Sequence, residues 1–188
     1  MERKMSVLKS KIKPCDQSLA PAGTTRYVGI LIDPFSETIN YHDIFYNEDS
    51  GFKKIQEAIE CQTFTISRIS PTEVMYLDDE GLLKRNNRYF AMHKNMNKDF
   101  TYKTALKNII INKIHPFVRK ALILNDLGTG DIESTEYKIQ HWDENYGKDK
   151  VFRLSVCDDM EEFDEYDYGV GFLDKDFKLE PRMVFHTA

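Results

Sequence analysis

Carboxylates are the side chains most densely placed to do chemistry in this chain. Asp158, Asp159, Glu161, Glu162, Asp164, Glu165 and Asp167 crowd together, with Met160, Phe163, Tyr166 and Tyr168 among them and no cation inside the run. Negative charge at that density steers a basic surface towards it, and interleaved aromatic rings anchor the contact once it forms. The segment 156–168 is therefore read as an acidic docking element for a partner protein. Its contact residues are Asp158, Asp159, Glu161, Glu162, Phe163, Asp164, Glu165 and Tyr166. The same spacing can imitate the phosphates of DNA and occupy a nucleic-acid site on another protein. A plainer reading stays open beside both: a solvated acidic loop or short helix folded back on the basic face of its own domain.

Positive charge lies elsewhere. Residues 84–120 hold ten Lys and Arg against the single acid Asp99, whereas 125–180 hold seventeen Asp and Glu against six Lys and Arg. The formal net charge of −5 conceals this segregation. Tyr89, Phe90, Phe100 and Tyr102 stand among the cations. Arg85, Arg88, Lys94, Lys98, Tyr102 and Lys103 thus form an alternative nucleic-acid-binding set, in which cations track phosphates and rings stack on bases. A helix with a lysine face and an aromatic core face accounts for the same pattern. Opposite charge on two stretches also favours head-to-tail self-association, the basic region of one copy meeting the acidic region of the next.

Signatures of catalysis are missing. The sequence has no G-x-x-x-x-G-K-[ST], no G-x-S-x-G, no H-E-x-x-H and no strand-linked G-x-G-x-x-G. Leu127-Gly128-Thr129-Gly130-Asp131 could hold a phosphate on backbone N–H groups, but it lacks a nearby lysine and reads as an ordinary loop. His42-Asp43 and His141-Trp142-Asp143 supply four candidate metal ligands or an acid–base pair, and nothing in their spacing brings them together. Asp78-Asp79-Glu80 lacks the alternating oxygen ligands of an EF-hand loop and reads as a solvated turn. Cys15, Cys61 and Cys157 are odd in number and far apart, so they read as reduced thiols, with Cys61 a small filler rather than a nucleophile. No catalytic residue, metal or cofactor is assigned. An enzyme with an unrecognised site is the third reading.

The elements that must position these residues follow from periodicity. Arg26–Ile32 reads as a buried strand, Asp33-Pro34-Phe35-Ser36 as a turn and Thr38–Tyr46 as a second strand, giving a hairpin. Phe52, Ile55 and Ile59 fall at helical spacing and predict a helix over about 51–60, capped by Asp49 or Ser50. Residues 63–69 and 73–77 read as strands. Asp99 or Thr101 opens a second helix over about 101–113, Pro116 marks its end, and a strand at 118–124 follows. Beyond Asn125, short apolar runs at 151–156 and 182–185 read as strands joined by loops.

Residues 1–24 form a basic N-terminal arm, and 25–188 are read as one domain carrying the acidic segment. With 188 residues, 41% hydrophobic and 30% charged, the chain can bury a core without disulfide or metal staples. The expectation is a single compact α+β domain, a mainly antiparallel or mixed sheet with the two helices packed on it. No apolar run of membrane-spanning length and no signal-peptide pattern is visible, so a cytoplasmic protein without membrane contact is expected.

Residues 52–91 carry a further pattern. Ile55, Gln56 and Ile59 stand in the short helix, Asp79-Glu80-Gly81-Leu82-Leu83 form a turn, and Asn87-Arg88 follow. In this order of features the segment resembles a family of small bacteriophage-borne domains of unknown function. It departs from that pattern in having Cys61-Gln62 where a glycine pair commonly follows the helix. Residues 93–119 also stand as an insertion before the strand that closes the unit. The resemblance implies a viral or mobile-element protein at work in a host cell, in host cytoplasm, and transfers no catalytic residue. With the charge segregation, it leads to the expectation of a non-enzymatic accessory protein: an interaction module for a host or viral protein. Nucleic-acid or nucleotide binding through 84–120 is the alternative.

Overall fold

The computed structural model describes residues 5–7, 16–94, 116–126, 131–142, 151–158, 162 and 164–179. In chain order they form β1 (Met5–Val7), β2 (Thr25–Asp33), β3 (Thr38–Tyr46), α1 (Lys53–Ile59), β4 (Phe64–Arg68), β5 (Glu73–Asp78), β6 (Tyr89–Lys94), β7 (Phe117–Val118), β8 (Ala121–Asp126), β9 (Ile132–Glu133), β10 (Lys138–Trp142), β11 (Val151–Ser155) and β12 (Tyr168–Phe172). The strands make two antiparallel sheets. One runs β1-β10-β11-β12-β6-β7; the other runs β3-β2-β8-β5-β4, with β9 added to β8. The fold is therefore predominantly β, with one α-helix among the described residues. The helix expected at 101–113 lies outside them, as does the strand expected at 182–185. No helix among the described residues is long and apolar enough to cross a membrane.

Close packing groups the chain into two compact units, and residues 25–188, read from sequence as one domain, are shared between them. The first unit comprises Met1–Leu8, Arg88–Val118 and Lys138–Ala188; the second comprises Lys9–Asn87 and Arg119–Tyr137.

In the second unit, alternation along β2 sets the two faces of the sheet. Tyr27 and Leu31 turn towards α1, and Val28, Ile30 and Ile32 are buried on the opposite face. Register carries the same faces across the sheet, pairing Leu31 with Leu122 and Leu122 with Tyr76. Ile55 and Ile59 of α1 pack into a cluster with Ile44, Val74, Tyr76, Leu122, Leu124 and Ile132. The helix is short because Glu60 adopts a left-handed conformation at φ 56°, where its N–H donates to the carbonyls of Gln56 and Glu57. Its N-cap is Phe52 with no side-chain cap, not the expected Asp49 or Ser50. Ser50 instead closes a turn with Asn47, its N–H donating to Asn47 Oδ1 at 2.5 Å.

In the first unit, Tyr89–Lys94 is a strand, an element not expected from the sequence. Phe90, Met92 and Lys94 lie on one side of β6, opposite Phe172, Val170 and Tyr168 of β12. Phe90 is fully buried and stacks on Phe117 at 5.2 Å between centroids. Pairing with a strand distant in sequence gives the segment its form.

Candidate functional site

The acidic segment is the connection of a β-hairpin. It leaves β11 after Ser155 and returns at β12, whose register sets Arg153 opposite Gly169 and Leu154 opposite Tyr168. Arg153 is fully buried, and its Nη2 is the hub of the loop. That nitrogen donates to Asp167 Oδ2 at 2.6 Å, to Ser155 Oγ at 3.1 Å and to the backbone carbonyl of Glu162. The same Asp167 oxygen accepts the Asp164 N–H at 3.0 Å, while Asp164 Oδ1 accepts the Tyr166 N–H at 2.8 Å. A buried guanidinium would be costly alone; with a buried carboxylate and a backbone carbonyl around it, the charge is compensated and the loop is tied to the sheet. Gln140, paired with Arg153 across β10 and β11, extends the anchor by donating to the Cys157 carbonyl at 3.4 Å.

Two more cations of the same unit meet the loop. Lys138 makes an ion pair with Asp158, and Lys94 Nζ lies 4.6 Å from the centre of the Tyr166 ring. The run thus divides by role. Asp164 and Asp167 hold the loop's shape, and the Asp158 side chain, 92% exposed, together with those of Glu162 and Glu165, faces solvent. Asp159, Glu161 and Phe163 lie outside the described residues. Sequence reasoning passes over Arg153, whose signal is a lone cation flanked by Phe152 and Leu154 in a strand beside an all-acidic loop.

The basic set is not brought together on one surface of one unit. Arg85 is exposed in the second unit, Arg88 and Lys94 belong to the first, and Lys98, Tyr102 and Lys103 lie outside the described residues. Two of the aromatic rings among these cations are committed to packing: Phe90 as above, and Tyr89 edge-on to Phe177 at 5.3 Å. Other cations of the stretch meet acids locally. Lys120 Nζ lies 2.7 Å from Glu60 and 3.7 Å from Asp33. Lys84 Nζ lies 2.6 Å from Asp78 Oδ2, and Arg119 Nε 3.6 Å from the same oxygen. Asp78 is accordingly no solvated turn residue: it ends β5 with its side chain 1% exposed, drawn inward by these two cations.

The remaining candidates separate. His42 and His141 fall in different units, and Asp143 lies outside the described residues. Asp43 is committed to Arg26, whose Nη2 lies 2.8 Å and Nε 3.0 Å from its Oδ1. Burial holds the His42 pKa below 6.5, against the pull of Asp43 and with the help of Lys120. The Cys61 thiol lines an open groove of about 680 Å³ beside α1, together with Lys53, Glu57, Glu60, Glu80 and Lys84. Burial, reinforced by Asp78, pushes its pKa above 9.0 despite Lys84, so the nucleophilic thiolate is scarce at neutral pH. Among the described residues, no group of three or more His, Cys, Asp or Glu is placed to hold a metal ion. Of the Gly-rich loop, Leu127–Gly130 lie outside the described residues.

No family model, no curated protein and no solved structure matches the chain.

Proposed function

We propose that the chain is a non-enzymatic protein-interaction module of a virus or mobile element, engaging a basic surface on a host or viral protein through the β11–β12 loop. The observation that carries this reading is the buried Arg153–Asp167 pair. It ties Glu162, Asp164 and Asp167 to β11 without a partner, and preorganisation of contact residues lowers the entropy cost of binding. Glu162 and Glu165 remain exposed, where their charge steers a cationic partner and raises its on-rate. The viral or mobile-element setting draws its support from the resemblance over residues 52–91.

The test uses the intact chain as bait in a host lysate, beside two variants. Glu162→Lys with Glu165→Lys reverses two exposed charges and is expected to abolish recovery of a partner while leaving the far-UV circular dichroism unchanged. Asp167→Asn removes no exposed charge but strands the buried guanidinium, at a cost of about 3–5 kcal/mol. It is expected to speed amide exchange across 157–167 and to weaken the same capture. Equal recovery of every protein by all three baits would sink the docking assignment.

A further inference from the structure

Among the described strands, β4 lies at one edge of the second unit's sheet. Two backbone bonds show which of its peptide groups face outward. Asp79 N–H donates to the Thr63 carbonyl at 3.1 Å and Ile69 N–H to the Glu73 carbonyl at 3.0 Å, in the register that pairs Phe64 with Asp78 and Arg68 with Val74. Odd positions therefore bond to β5, and the alternation of an antiparallel ladder turns the N–H and C=O groups of Phe64, Ile66 and Arg68 to the open edge. Edge strands are usually blunted by lysine, proline, a bulge or an inward-pointing charge. β4 reads Phe-Thr-Ile-Ser-Arg, and its one charge is drawn back across the sheet. Arg68 Nη1 donates to the carbonyls of Pro71 at 3.1 Å and Asp126 at 3.2 Å, and Nη2 lies 3.7 Å from Asp126 Oδ2. At the centre of the strand, Ile66 is 50% exposed.

We propose that β4 is a homodimer edge, on which a second copy of this chain adds its own β4 antiparallel about a two-fold axis through Ile66. A second copy fits because the strand is complementary to itself in that register. Ile66 opposes Ile66 of the partner subunit. The outward peptide groups of positions 64, 66 and 68 meet those of 68, 66 and 64, so each finds a hydrogen bond in phase. Phe64 stands opposite Arg68 of the partner subunit, so the two arginines are not set against each other, and Thr65 faces Ser67 of the partner subunit, hydroxyl to hydroxyl. Such an isologous contact closes on itself and stops at two copies.

Light scattering on the full chain at low and high salt tests the assignment, with two variants. Ile66→Pro deletes an outward N–H that β5 does not use, a substitution edge strands tolerate. Ile66→Lys sets two ammonium groups at the axis. The parent is expected at twice its chain mass of 22.1 kDa at both salt concentrations, and both variants at the chain mass. A cysteine pair provides a check that needs neither disruptive variant. Directly opposed, hydrogen-bonded residues sit about 5.5 Å apart at Cα, within disulfide reach. Ile66→Cys should therefore cross-link under mild oxidation many-fold faster than Leu83→Cys, whose site is 84% exposed and reports random collision. A parent at 22.1 kDa throughout, with Ile66→Cys no faster than Leu83→Cys, overturns the proposal. So does an assembly that salt dissolves and Ile66→Pro leaves intact, which would be head-to-tail charge pairing.

Discussion

Glu73 shows what a single buried carboxylate does to this protein. Its side chain lies in the second unit and accepts bonds from Thr135 Oγ1 at 2.8 Å, the Glu136 N–H at 2.7 Å and Asn125 Nδ2 at 3.4 Å. Burial raises its pKa from the ordinary 4.5, against those hydrogen bonds, which favour the charged form. A carboxyl whose folded pKa exceeds its unfolded one keeps its proton longer in the native state. In the window above 4.5 the native protein therefore binds more protons than the unfolded chain, and stability falls as pH rises through that window. The contribution of Glu73 is thus most favourable below the window and is lost above it, the reverse of the usual ion-paired carboxylate. Glu73→Gln keeps the shape and an acceptor but removes the titration. The urea midpoint of the parent should drop between acidic and neutral pH by more than that of Glu73→Gln; parallel profiles would show that Glu73 titrates alike in the folded and unfolded chains.

Strand pairing sets tighter limits than any single charge. At Gly29 a Cβ would sit 2.8 Å from the Ile123 carbonyl oxygen and 2.9 Å from Leu122 Cδ1, and β8 cannot yield because β2 and β5 bond to its two edges. Gly29→Ala should therefore destabilise by about 1–3 kcal/mol, read as a lower urea midpoint at unchanged slope; a variant as stable as the parent would mean that β8 moves freely. Elements whose signal is local are legible in the sequence: β2, β3, β4, β5 and α1 match their alternation or helical spacing to within a few residues. β6, β10 and β12 are not, because each takes its form from a partner far along the chain. Tyr89–Lys94 holds no β-branched residue and is a strand through pairing with Tyr168–Phe172 on one side and Phe117–Val118 on the other. The candidate site divides the same way. The density of carboxylates at 156–168 is plain in the sequence, but that Asp167 turns inward depends on Arg153, fourteen residues earlier in the chain, which only the hairpin brings to it. Asp78 is hidden similarly, since two acids following it suggest solvent while Lys84 and Arg119 draw it in.

At the scale of the molecule, connectivity couples the two units whatever their contacts. The chain passes between them after Leu8, Asn87, Val118 and Tyr137, so each sheet is assembled from separated segments and each unit closes loops made by the other. Residues 88–118 leave the second unit beside the point of return, where Arg119, at φ 66°, donates from Nη1 to Asn87 Oδ1 at 3.2 Å. If the second unit melted while the first stayed folded, residues 9–87 would become a flexible loop of roughly eighty residues with both ends still held, at an entropy cost of about 4 kcal/mol. Melting the first unit alone would free the chain's ends but leave 88–118 as a loop pinned by the second. Each unit thus lowers the closure cost of the other, and the coupling is a sizeable share of the stability of an ordinary domain. Unfolding should be one transition. The single tryptophan, Trp142, lies in β10 and reports the first unit, whereas far-UV circular dichroism reports the strands of both. In urea the two signals should trace the same curve with the same midpoint. A fluorescence midpoint displaced from the dichroism midpoint would mean that the units unfold separately, and that loop closure through the interleaved segments is too weak to bind them into one cooperative fold.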